Sequence, residues 1–247
     1  MYSNAYIFRY AGIMVVIAAA LLSTAAMLLK PFQEKNMAIE KMGEIMASAG
    51  IPHVAPDKAI ALFNKKVVES LVVDQDGNVV ESVTDGEMEE ASAFSISLKD
   101  QLYRKANGQP FEMPIYVIEN EGQRVYILPM LGNGLWGNLY GNFALKDDFN
   151  TVFGVTFSHD KETPGLGAEI AEQPFKDQFV GKKIFDDQGN FTSIHVVKGG
   201  AKTLPAAQQI HGVDAVSGGT ITSVGVDEMI KNVLEAYLPY IEKQRKQ

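Results

Sequence analysis

Residues 217–223 read Ser-Gly-Gly-Thr-Ile-Thr-Ser, so four hydroxyls and two glycines fall in seven positions just ahead of a helical apolar stripe. A helix that starts behind small residues presents free backbone N–H groups and the positive end of its dipole, a natural place for an anion. Ser223 is a plausible N-cap, and Asp227 and Glu228 suit the first turns. A plain capped helix start explains the same residues. The segment is not a Walker A loop, which needs Gly-Lys-Ser/Thr. Nor is it a nucleophile elbow, because Ala215 stands where the first Gly belongs. A His159/Asp214/Ser217 triad can be written down but has no supporting spacing. A second segment, HDKETPGLGAEI (159–170), sets His159 beside Glu162 and Thr163, followed by Gly165, Leu166 and Gly167. A His–Glu acid/base pair and a structural turn both fit it. The third, LPMLGNGLWGNLYGNF (128–143), interleaves four glycines with Leu135, Tyr140 and the only tryptophan, Trp136. Glycines there permit a bulged turn packing one aromatic residue, or a close backbone approach to a ligand.

These segments need a scaffold, and the rest of the chain suggests one. The hairpin signal Asp76-Gly77-Asn78 divides two β-branched runs in 71–83. Asp187-Gln188-Gly189-Asn190 repeats that design within 183–197, which is compatible with a duplicated half-domain without establishing one. Asp74-x-Asp76-Gly77 lacks the later Gly and Glu of an EF-hand. Residues 114–130 read as a third hairpin, turning at Glu121-Gly122, and 141–160 supplies two more strands. Helices are expected over 33–49, up to Gly50-Ile51-Pro52, and over 56–70. A third spans 224–238, with Pro239 ending or kinking it. The fold class is therefore α+β: a single N-terminal transmembrane helix, then a mixed, mostly antiparallel sheet domain with flanking helices.

The anchor is AGIMVVIAAALLSTAAMLL, residues 11–29, with Ser23 and Thr24 its only polar members. At 1.5 Å per residue it spans roughly 28 Å, near the thickness of a bilayer core. Tyr6, Phe8 and Tyr10 precede it as an aromatic belt would. A cleaved signal peptide is the rival reading. The lysines after the span, read by the positive-inside rule, would weakly favour a cytoplasmic domain. The organisation is a tail (1–10), a transmembrane helix (11–29) and one domain (30–247).

Composition narrows the chemistry further. The chain has 247 residues and a net charge of −8. Removing residues 1–35 leaves 19 basic and 29 acidic residues, a net −10. That balance argues against nucleic acid as a partner. The chain has no cysteine. This excludes disulfides, thiol nucleophiles and Cys-ligated zinc or iron–sulfur clusters. No metal site is expected.

The anchor exit LLSTAAMLLKPFQEKN (21–36), the GNGLWGNLYG segment (132–141) and HDKETPGLGAEI together resemble the C subunit of sodium-translocating NADH:quinone reductases. They more distantly resemble the G subunit of ion-translocating ferredoxin:NAD oxidoreductases. Both groups lie in the FMN-binding domain family, and the likeness covers essentially the whole chain. The family's flavin-transferase motif, Asp-x-x-Ser/Thr-Gly-Ala-Thr, reads here Asp214-Ala215-Val216-Ser217-Gly218-Gly219-Thr220, with Gly219 in place of the usual Ala. The resemblance implies covalent FMN on Thr220 through a phosphoester. It implies flavin contacts from Glu162, Thr163, Gly165, Leu166 and Gly167, and from Leu135, Trp136 and Thr222. It further implies a periplasmic domain anchored in the bacterial inner membrane, against the weak lysine bias. The partners it implies are the B, D and E subunits and a flavin transferase during maturation. Its role would be electron relay from a membrane iron–sulfur centre to the FMN of the B subunit. A G-type subunit, and an anchored scaffold domain without flavin, are the alternatives.

Overall fold

The computed structural model describes residues 3–120 and 122–246. The chain divides into two compact units, with the boundary between Lys41 and Met42. The first unit lies on α1 (Asn4–Ser48), a helix long and apolar enough to cross a membrane. The large apolar residues from Tyr6 to Met37 are exposed, as a lipid-facing surface requires, and Pro31 sits inside the helix without ending it. The expected helix over 33–49 is thus the continuation of α1. It ends where predicted: Gly50 adopts φ 75°, Gly50 N–H donates to Ala47 O and Ile51 N–H to Met46 O, both at 3.0 Å. This is a Schellman stop, with Ile51 buried beside it.

The second unit is built on a six-stranded antiparallel sheet. Its strands are β1 (Val67–Asp74), β2 (Val79–Val83), β3 (Glu112–Asn120), β4 (Gln123–Asn133), β5 (Asn138–Lys146) and β6 (Val152–His159), in the order β2-β1-β3-β4-β5-β6. The central strand β3 is buried on both faces, which explains its unbroken apolar run. Met113, Ile115 and Val117 join the core formed with the last helix, α6 (Thr220–Arg245), through its Val226, Ile230, Val233 and Leu234. Tyr116 meets Phe63 of α2 (Pro56–Lys66), ring centres 6.1 Å apart, and donates its hydroxyl to Ala93 O. Burial raises the Tyr116 phenol well above its ordinary value. Short helices α3 (Ser92–Ser95), α4 (Leu98–Ala106) and α5 (Gln173–Lys176) complete the domain, with a parallel pair β7 (His195–Val197) and β8 (Gly212–Asp214).

Several expectations need correction. The helix expected over 56–70 ends at Lys66, because Val67–Asp74 pairs along β3. The turn within 183–197 forms, but its flanks make only the single bridge Phe185–Phe191. Beyond it the chain reverses at Ser193 (φ 64°), and His195–Val197 pairs with 212–214 instead. Helix α6 starts at Thr220 and runs past Pro239. Buried Tyr240 and Ile241 hold it beyond the donor that proline lacks. Ser223 is therefore not the N-cap; Gly219 is, without a side-chain cap. Of the turn expected at Glu121-Gly122, Gly122 adopts φ 78°, while Glu121 lies outside the described residues.

The two Asp-centred turns are locally alike and differently packed. Asp74 Oδ1 accepts from Asp76 and Asn78 N–H at 3.0 and 2.8 Å; Asp186 Oδ1 accepts from Gln188 and Asn190 N–H at 2.9 and 2.8 Å. Gly77 and Gly189 both have positive φ, but a Cβ on Gly77 would strike the backbone of Pro239 and Tyr240, while one on Gly189 meets nothing. Gly189→Ala should cost the left-handed penalty of about 1–2 kcal/mol. Gly77→Ala should add overpacking of about 1–3 kcal/mol, read as a larger drop in thermal midpoint of the detergent-solubilised chain. Hydrogen bonds from the Asn78 main chain hold the Asp74 carboxyl below its ordinary value, and those from the Asn190 amide do the same for Asp186. A lowered folded-state value gives stability that is complete above the ordinary carboxylate range and lost as pH falls through the lowered one. The midpoint should fall on acidification below about pH 4, and less steeply in Asp186→Asn.

Candidate flavin site

The site forms where three chain segments converge. Strands β4 and β5 end in the tight turn 134–137, closed by Gly134 N–H donating to Gly137 O at 2.7 Å. The segment after β6 carries Glu162 to Gly167, and the first turn of α6 supplies Thr220 to Thr222. Helix α6 reaches this point because residue 225 is glycine: a Cβ there would overlap Asn133 O. A groove of about 220 Å³ results, lined by Leu135, Glu162, Thr163, Leu166, Gly167, Gly218, Gly219, Thr220, Ile221 and Thr222.

Most residues singled out from the sequence meet here, with differences. Trp136 does not pack inside a bulged turn: its side chain is 63% exposed, and only its backbone N–H enters the site, donating to Glu162 Oε1 at 2.9 Å. Gly165 has φ 74° with open space around it, and its N–H donates to Glu169 Oε1, so it shapes the turn without lining the groove. Asp214 and Ser217 lie outside the lining. Asp214 Oδ1 accepts from Ala201 N–H at 2.6 Å, and its own N–H donates to Gln178 Oε1. No acid/base dyad forms at His159, whose Nδ1 accepts from the Glu162 backbone N–H at 3.2 Å. Ile221, 58% exposed, was missed as a lining residue. An apolar residue on the solvent side of a helix's first turn was the available signal.

The hydroxyls are sharply distinguished. Thr222 is buried, and its Oγ1 donates to Glu162 Oε2 at 2.5 Å. Ser223 is buried, and its Oγ accepts from Val216 N–H at 3.0 Å. Thr220 is exposed at the first position of α6, and its hydroxyl makes no hydrogen bond among the described residues. The first bond closing the helix is Ser223 N–H to Gly219 O at 2.8 Å, so the N–H groups before it are available.

These residues suit FMN. Exposed Leu135, Leu166 and Ile221 offer apolar surface to a ring, and the helix start offers N–H groups to a phosphate. Gly218, with φ 76°, lies where a Cβ would meet Leu166 Cδ2 at 2.5 Å. Among the described residues no cluster of His, Cys, Asp or Glu is arranged to hold a metal.

Known proteins agree with the geometry. Residues 134–235 match the FMN-binding domain family. The chain is 35% identical, over 240 residues covering 92% of it and 89% of the relative, to the C subunit of the Na(+)-translocating NADH-quinone reductase of Neisseria meningitidis. It is 38% identical to the C subunit of the Vibrio anguillarum enzyme, over 85% of this chain and 82% of that one. The chain belongs to the family of C subunits of Na(+)-translocating NADH-quinone reductases. A crystal structure of the C subunit from Parabacteroides distasonis aligns with a TM-score of 0.72 at 37% identity, covering 86% of this chain and 96% of that one. Membership of this family makes the chain a flavoprotein with an FMN-binding domain and a component of a multi-subunit oxidoreductase.

The departure from the family motif is sterically mild. A Cβ on Gly219 would sit 3.1 Å from Val216 Cγ1 and 3.2 Å from Leu166 O. One on Gly167 would overlap Thr222 Oγ1 and approach Glu162 Oε2 at 2.5 Å. Gly219→Ala should leave the thermal midpoint within about 4 °C, the shift of roughly 1 kcal/mol in a domain this size. Gly167→Ala should lower it by more.

Proposed function

We propose that this protein carries FMN covalently on Thr220 through a phosphoester and relays electrons between the membrane iron–sulfur centre and the FMN of the B subunit. The observation that carries the attachment site is the free, exposed Thr220 hydroxyl beside two buried and engaged ones. Asp214, Ser217, Gly218 and Gly219 form the transferase recognition segment. Gly218 and Gly219 keep it small enough to enter another protein's site. After attachment, the first N–H groups of α6 stabilise the phosphoryl charge, an effect of about 0.3–1 kcal/mol at an exposed helix start. Thr163, Leu166 and Leu135, which line the groove, would flank the ring, and Gly167 lets the Glu162–Thr222 contact close behind it. The flavin supplies the redox chemistry when bound, so no acid or base of this chain has to turn over.

The apolar run 11–29 anchors the chain in the bacterial inner membrane with the domain of residues 30–247 on the periplasmic side. The resemblance to the family supports this orientation, the B, D and E subunits as neighbours, and the flavin transferase as a transient partner. The isolated chain has no cysteine with which to hold an iron–sulfur cluster, so it acts as one step of a complex.

The test is in-gel fluorescence after SDS denaturation of the full chain co-expressed with a flavin transferase. Wild type should give a fluorescent band and Thr220→Val none. A dark wild-type band, or a bright Thr220→Val band, contradicts the attachment.

A further inference from the structure

Both oxygens of the Glu162 carboxylate are already in use by the protein. Oε1 accepts the Trp136 backbone N–H from the β4–β5 turn at 2.9 Å, and Oε2 accepts the Thr222 hydroxyl from α6 at 2.5 Å. The side chain is only 4% exposed. Two donors on two oxygens is the pattern an ionised carboxylate accepts without a conflicting proton. The surroundings are built for it: a Cβ on Gly134 would overlap Oε1, and one on Gly167 would approach Oε2 at 2.5 Å. Such charge-assisted bonds are about twice as strong as neutral ones.

We infer that Glu162 is a positioning residue, a buried clasp that fixes the Trp136 turn against the first turn of α6 and places a carboxylate in the lining of the groove. The clasp does two things. It fixes the wall bearing Leu135 relative to the helix turn bearing Thr220. It also occupies the Thr222 hydroxyl, leaving Thr220 as the free one two residues away. Its flavin-facing consequence rests on the function proposed above; its structural consequence does not. A fixed negative charge disfavours adding electrons to a nearby ring, so neutralising it should raise the flavin midpoint potential.

Trp136 is the chain's only tryptophan, so its fluorescence reports the turn without any flavin. Full-length Glu162→Gln, Thr222→Val and Thr222→Ser would be purified in detergent without the transferase and compared by acrylamide quenching, rotational anisotropy and melting. Glu162→Gln and Thr222→Val should raise quenching and lower anisotropy, and Thr222→Ser, which keeps the hydroxyl, should match wild type. In flavin-loaded protein, Glu162→Gln should raise the midpoint potential more than Thr222→Val, which keeps the charge. Unchanged quenching and anisotropy in both variants, even with a lowered melting point, would overturn the clasp. A wild type that takes up no flavin would instead overturn the proposed function, leaving the tryptophan result to stand on its own.

Discussion

The site depends on how closely the start of α6 can approach the end of β4. Asn133 O lies where a Cβ of residue 225 would be, so only glycine lets the helix settle there. Met229 crowds Gly132 in the same way one turn later. With those two contacts made, the stripe of Val226, Ile230, Val233 and Leu234 reaches the sheet, and burial of such side chains contributes about 1.5–3 kcal/mol each. The helix N-terminus is then fixed over the β4–β5 turn. Thr220 is exposed while Thr222, two residues on and so on the opposite side of the helix, is buried; Ser223 is buried by the preceding segment, whose Val216 N–H it accepts.

A rigid seat of this kind suits a tethered redox group. A covalent bond removes dissociation, but it does not orient a ring. Orientation has to come from walls that stay in place, and here each wall is tied down. The 134–137 turn is closed by its own backbone bond and by Glu162, the Asp214 segment by Ala201 and Gln178, and the first turn of α6 by Thr222. Exposed Leu135, Trp136, Leu166 and Ile221 leave the rim apolar. This fits a component of a multi-subunit oxidoreductase.

Much of this was legible in the residues. Turns with left-handed glycines, the Gly50 helix stop and the long apolar N-terminal helix follow from local rules, and the structure repeats them. What local rules missed depended on distant contacts. Pro239 does not end α6, because Tyr240 and Ile241 are buried and the Pro239–Tyr240 backbone is packed over Gly77. The flanks of the Asp186 turn do not zip, because 195–197 finds 212–214 as its partner. Thr220 was singled out only through the motif resemblance; spacing alone left Thr220, Thr222 and Ser223 equal. Ser223 is taken up by Val216 N–H, and Thr222 by Glu162, sixty residues away in sequence; no local pattern encodes that second pairing.

The proposed bond of the flavin to one particular oxygen is read directly by fragment-ion mass spectrometry of the peptide spanning 214–229. Protein matured with its transferase should show the added mass of the flavin phosphoryl group on fragments containing Thr220 and absent from those beginning at Ile221. An adduct retained on fragments that begin at Ile221, or a peptide of unmodified mass, would contradict the account.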